Sequence, residues 1–277
     1  MTGQINTAVA GDTIPDVQAS PDTRQVPIDK VGVKIGAYPI TLKCPLTGGL
    51  QHTVASVNMY VGLPHFQKGT HMSRFLELLN AHHDQLKSDQ IMGVCHDMKQ
   101  RLESDEAHLE LRFPYFIHKT APVTGAPGML DIEVAFEACS KDHDDFIMGL
   151  KIPATSLCPC SKEISQYGAH NQRCEMEVKV RFEEGRFMWI EELFDVIEKA
   201  ASSPVYAVLK RPDEKHVTER AYENPKFVED IVRDLALALD AEDRVSWYQV
   251  NSENHESIHN HNAYAFIEKD KRLPAGG

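Results

Sequence analysis

The residues best suited to chemistry lie in a few short segments. The densest is Ile152-Pro153-Ala154-Thr155-Ser156-Leu157-Cys158-Pro159-Cys160-Ser161-Lys162-Glu163, which follows a strand-like stretch and opens a loop; His170 comes soon after, in Tyr167-Gly168-Ala169-His170. Thiolate and imidazole together suit zinc and related divalent ions. Alternate residues of an extended chain face opposite sides, so a C-x-C pair does not readily place both sulfurs on one ion. One sulfur is therefore expected on a metal and the other beside a substrate. A structural zinc clip would need four Cys or His ligands at C-x2–4-C spacing, which is absent. Two inert buried thiols are the plainer alternative.

The other segments are carboxylate, imidazole or cation rich. Asn251-Ser252-Glu253-Asn254-His255-Glu256-Ser257-Ile258-His259-Asn260-His261 packs three His and two Glu into nine residues, a metal or acid–base site or else a polar hairpin loop. Glu214 stands in the charged stretch Lys210-Arg211-Pro212-Asp213-Glu214-Lys215-His216, read as a loop between helices, where by itself it would be a solvated carboxylate. In Asn224-Pro225-Lys226-Phe227-Val228-Glu229-Asp230, Pro225 suits the first turn of a helix, and Glu229 falls near the helix start, where a carboxylate is favoured. Lys68-Gly69-Thr70-His71-Met72-Ser73-Arg74 opens another helix with cations beside free backbone N–H groups, a phosphate site or a capped surface helix.

Elements able to hold these residues follow from hydrophobic period. Residues 31–43 and 52–63 read as strands, 71–87 and 89–104 as helices, and 107–118 and 129–138 as alternating strands, with Leu109, Leu111, Phe113 and Ile132, Val134, Phe136 on one face. The order then restarts. Strands are expected at 145–154 and 174–183, helices at 189–201 and 225–240, and strands at 244–251 and 262–268. The pattern ββααββ stated twice predicts an α+β chain of antiparallel sheets with helix pairs on one face. Its modules are expected at 26–140 and 141–270, between tails at 1–25 and 271–277. Open sheets have edges, which are commonly protected by pairing with other subunits.

Composition narrows the class. The 277 residues are 42% hydrophobic, enough for a sizeable core, and the net charge of −12 argues against coating nucleic acid. No apolar run approaches the roughly 18–20 residues of a membrane helix. The start of the chain lacks the pattern of a signal peptide, so a cytoplasmic location and reduced thiols are expected.

Several motifs in order give the chain a family resemblance. Val31-Gly32-Val33-Lys34, Tyr38-Pro39-Ile40, Lys68-Gly69-Thr70-His71-Met72-Ser73-Arg74, Lys119-Thr120-Ala121-Pro122-Val123-Thr124-Gly125, Thr155–Lys162 and Ala221–Asp230 together resemble GTP cyclohydrolase type IB over roughly 25–270. The resemblance implies the tunnelling fold, two ββααββ units per subunit, and a homotetramer with interfacial active sites. It implies a divalent metal (Mn2+, Zn2+ or Fe2+) on Cys158, His170, Glu214 and Glu256. Cys160 and His259 become pocket or proton-transfer groups, and Glu229 the purine anchor. The activity implied is conversion of GTP and water to 7,8-dihydroneopterin triphosphate and formate. It begins with metal-activated water at guanine C8, helped by a proton placed on N7 by His259 or His170. Lys68, His71, Arg74, Lys119 and Lys162 are the cations expected near the triphosphate, several from a neighbouring subunit.

Three rival readings follow from the same residues. A tunnelling-fold reductase would use a Cys nucleophile and NADPH on a deazaguanine nitrile, without metal. A purine- or pterin-binding scaffold would hold its ligand without releasing formate. His108-Leu109-Glu110 mimics the H-x-E of zinc base deaminases, but Pro159-Cys160 lacks the matching second Cys of P-C-x-x-C.

Overall fold

The computed structural model describes residues 16–18, 20–44, 49–82 and 90–273. Its first half runs β1 (Ile28–Cys44), β2 (Gly49–Leu63), α1 (Met72–Ala81), α2 (Ile91–Leu102), β3 (Ala107–Thr120) and β4 (Pro127–Ser140). The second half runs β5 (Asp144–Leu157), α3 (Pro159–Ile164), β6 (Asn171–Phe182), α4 (Ile190–Glu198), a short β7 (Ser203–Pro204), α5 (Arg211–Glu223), α6 (Val228–Asp240), β8 (Val245–Asn254) and β9 (Ala263–Asp270). Every strand expected from period is present. Residues 83–89, where the first expected helix ends and the second begins, lie outside the described residues, as do 1–15 of the expected leading tail and 274–277 of the trailing one. Within the rest of the leading stretch, Asp22 N donates to the Phe66 carbonyl at 2.9 Å and Lys68 N to Ser20 at 3.1 Å, so this part is laid against the segment before α1.

The sheet order is β1-β2-β3-β4-β5-β6-β8-β9, with β7 added on β5. The β4–β5 ladder joins the two halves into one continuous antiparallel sheet. Strand residues alternate between two faces. One face carries the helices and buries Met59, Leu109, Leu111, Phe136, Leu150, Val178 and Val250 against Phe75, Leu79, Met98, Leu193, Ile231 and Leu235. Cys95 and Cys174 belong to this core, and burial pushes both thiols up to about 12. The other face carries no helix among the described residues and is polar, with ion pairs such as Arg181–Asp145 at 2.7 Å and Lys179–Glu137 at 2.9 Å. Gly32 approaches β2 so closely that a Cβ would collide with the Met59 carbonyl.

Three helices of the second half start alike. Glu192 accepts the Trp189 backbone N–H at 2.7 Å, Asp213 that of Lys210 at 2.9 Å and Asp230 that of Phe227 at 2.9 Å. Each carboxylate sits at the third helical position and satisfies a donor that the helix leaves free. Pro225 lies before α6, not in its first turn, and Glu229 is the helix's second residue. Glu214 lies in a helix, not a loop. α5 shows no hydrophobic period because only Asp213 and Ala221 of it are buried.

Asp213 anchors that helix to the turn between β3 and β4. Its carboxylate accepts Val123 N at 2.8 Å, Thr124 N at 2.9 Å and the Thr124 hydroxyl at 2.6 Å. Burial alone would raise its pKa, but these donors and Lys210 N hold the carboxyl well below the usual range. A depressed folded-state pKa gives stability that is complete above the unfolded value near 4 and fades as pH falls toward the folded one. Asp213→Asn should therefore lower the melting midpoint by several degrees at pH 7, with the deficit shrinking below about pH 4. Parallel melting curves of the two proteins from pH 3 to 7 check this.

Candidate active site

The ends of β5 and β8 and the start of β6 meet at one end of the sheet, because Leu157 pairs with Asn171 and Cys174 with Asn254. Cys158 caps α3 there, and its sulfur accepts the Ser161 N–H at 3.4 Å. Cys158 N donates to the His170 carbonyl at 3.2 Å, while the Ser161 hydroxyl links the Cys158 carbonyl (3.1 Å) to His170 N (3.2 Å). Thiol and imidazole thus belong to one small folded unit. Cys158 is half-buried and Cys160, inside the helix turn, is exposed, so the two sulfurs part company.

Two further segments are tied to this corner. Lys226 N donates to the Leu157 carbonyl at 3.0 Å, and the Ser156 hydroxyl to the Lys226 carbonyl at 3.1 Å, which brings the start of α6 and Glu229 alongside. The buried Asn254 amide donates to the same Ser156 oxygen at 3.1 Å, and His255 N to the Arg173 carbonyl at 2.9 Å. The loop after β8 then passes His170, with the Ser257 hydroxyl 3.4 Å from its Nδ1. Glu256 and His259 ride on this loop; the His259 ring is stacked on His261 with centroids 5.1 Å apart.

Gln172 was not expected from the sequence. It is 7% exposed, and its Oε1 lies 2.9 Å from His170 Nδ1. A carbonyl oxygen only accepts, so this contact favours the neutral tautomer with its proton on Nδ1 and its lone pair on Nε2, the nitrogen that could face a metal. An acceptor on the second ring nitrogen is the usual support of a histidine ligand. The i, i+2 spacing of His170 and Gln172 at a strand start was the available signal. Gln172→Leu should weaken divalent-metal retention by about 10–100-fold with the fold intact. Equilibrium dialysis against a competing chelator measures it.

Glu214 is placed differently. Lys162 donates to the Tyr222 carbonyl at 2.5 Å and lies over the Tyr222 ring at 4.4 Å, so the end of α5 meets α3. Glu214 is exposed and eight residues earlier, about 12 Å along the helix at roughly 1.5 Å per residue. Among the described residues, the cluster of ligand atoms mutually within 4.8 Å is not the expected set but Glu106, His108 and Cys139.

The expected cations divide between the two ends of the sheet. Lys119 and Lys162 are at the Cys158 end, yet Lys119 pairs with Glu198, donates to the Val205 carbonyl at 2.8 Å and stacks over Tyr206. Lys68, His71 and Arg74 follow β2 at the opposite end, where β5 begins. β5 has 14 residues, about 43 Å at roughly 3.3 Å per residue. His71 faces Asp16 at 3.1 Å, and Arg74 donates to the Arg101 carbonyl at 3.3 Å.

Comparison with known proteins decides the family. The model of a type I GTP cyclohydrolase family, FolE2, matches residues 14–265. The chain belongs to the FolE2 family. It is 54% identical to the GTP cyclohydrolase FolE2 of Geobacter sulfurreducens, over 94% of this chain and 99% of that one. It is 53% identical to the FolE2 of Nitrosomonas eutropha, over 94% and 97%. In fold it is similar to the uricase from Bacillus fastidious (TM-score 0.52, 8% identity, 88% of this chain and 94% of that one). A urate oxidase of Bacillus sp. TB-90 gives 0.51, 9%, 88% and 99%. The α+β architecture of this FolE2 chain is thus the tunnelling fold that its motifs imply. No helix among the described residues is long and apolar enough to cross a membrane.

Proposed function

We propose that the chain converts GTP and water to 7,8-dihydroneopterin triphosphate and formate, as a homotetramer with active sites shared between subunits. The observation that carries this reading is the convergence of the Cys158–His170 unit, the start of α6 and the loop after β8 at one sheet end, in a chain of the FolE2 family. The donor set suits a divalent ion: a sulfur at a helix start, an imidazole whose free nitrogen is Nε2, and acidic side chains. Cys158, His170, Glu214 and Glu256 would hold it. Mn2+, Zn2+ or Fe2+ each match such mixed ligands. When bound, the ion supplies a water of much lowered pKa for attack at C8.

The protein's own groups do the rest. Gln172 keeps His170 oriented and in one tautomer. His259, on the exposed loop, is then the group free to hold a proton near guanine N7, and Cys160 lines the pocket beside it. Glu229 accepts the guanine N1–H and 2-amino group together, whereas adenine presents an acceptor there. The separation of Lys68, His71 and Arg74 from Cys158, and the position of Glu214, favour completion of the site by neighbouring subunits. The outer edges of β1 and β9, unpaired among the described residues, offer the means.

Incubation with GTP and Mn2+ should release formate and, after oxidation, fluorescent neopterin in equal amounts. Chelation should stop both, and Mn2+ or Zn2+ should restore them. GTP binding without formate would favour the scaffold reading, and NADPH consumption with a deazaguanine nitrile the reductase.

A further inference from the structure

We propose that Glu106, His108 and Cys139 form a second divalent-metal site, of zinc type, on the helix-free face of the sheet. Antiparallel register places His108 directly opposite Cys139, although they are 31 residues apart. Glu106 and His108 stand two apart, so their side chains share a face. His108 Nε2 lies 2.7 Å from Glu106 Oε1, and one ligand atom from each of the three residues falls within 4.8 Å of the others. All three are half-buried.

The supports are rigid. The Glu106 carbonyl accepts Gly62 N at 3.1 Å and the Ser104 hydroxyl at 3.0 Å, which fixes the residue before β3. His108 and Cys139 are within ladders paired on both sides. Lys141 Nζ is 2.8 Å from Glu106 Oε2, which favours the ionised carboxylate, and a metal would replace the His108–Glu106 Oε1 hydrogen bond, drawing on both of its partners. Across from Cys139 lies Asp145, whose carboxylate is taken by Arg181 at 2.7 Å. The set is therefore one sulfur, one imidazole and one carboxylate with a position left for water. That set suits a borderline-soft ion such as Zn2+, and Co2+ is a probe for it. The site lies near the end of the sheet where β5 begins, far from Cys158. It would clamp β3 to β4 on the face where no helix does so.

The test uses full-length protein stripped of metal and titrated with Co2+. In a Cys158→Ser/Cys160→Ser background the candidate active site has no sulfur. A thiolate-to-cobalt absorption band with about one Co2+ per chain is still expected there. Adding Cys139→Ser should abolish the band, and adding His108→Asn or Glu106→Gln should weaken Co2+ binding by at least about 10-fold. Cys139→Ser alone should keep its turnover of GTP, which also shows that it folds. No band in the Cys158→Ser/Cys160→Ser background, or a band indifferent to Cys139→Ser, overturns the proposal. Neither outcome touches the reading of the Cys158 site, which formate release tests separately.

Discussion

Cys158→Ser should cut formate release from GTP by well over about 100-fold while leaving the sheet intact. Loss of a supporting partner of a metal ligand costs about 10–100-fold, so loss of the thiolate itself should exceed that range. The residue is half-buried at the start of α3, where its sulfur accepts the Ser161 N–H at 3.4 Å. A serine hydroxyl can accept the same bond and is a common helix cap, so folding should hardly change. The measurement is twofold: formate per chain, and metal per chain after dialysis. A variant that turned over GTP normally without metal would defeat the assignment. Cys160→Ser makes a useful contrast. That residue is exposed within the turn, so a smaller loss with metal retained is expected.

Glu229→Ala should lower kcat/KM for GTP by about 10–150-fold, from the roughly 1.5–3 kcal/mol of a charge-assisted hydrogen-bond pair. Glu229 is exposed at the second position of α6, whose start is tied to the Cys158 segment through Lys226. The sharper readout is selectivity. ITP lacks the 2-amino group, so the native protein should prefer GTP to ITP and the variant should lose most of that preference. An unchanged GTP/ITP ratio would remove Glu229 from base recognition. Glu229 is exposed, so stability should stay near that of the native chain.

Strand period was legible because alternation is local. Leu109, Leu111, Phe113 and Ile132, Val134, Phe136 announce their buried face within a few consecutive residues, and the doubled order of elements follows from such stretches alone. α5 was missed for the converse reason. Its exposed sides are charged, and what holds it is Asp213, which meets partners about 90 residues away in the β3–β4 turn. α3 is only six residues, all at least partly exposed, and leaves no period to read.

By itself the sequence determined the antiparallel α+β class, the order of the eight long strands with α1, α2, α4 and α6 among them and, through its motifs, the family. It also supplied the candidate residues Cys158, His170, Glu229 and the cluster after β8. Only the tertiary structure decided which of them meet. It sets the Gln172 acceptor on His170, puts Lys68, His71 and Arg74 at the sheet end away from Cys158, and brings Glu106 and His108 to Cys139. The physical reason is that burial imprints a short-range period on neighbouring residues. Strand register and the end of the sheet at which a loop emerges are instead settled by pairings between distant parts of the chain, which no local stretch records.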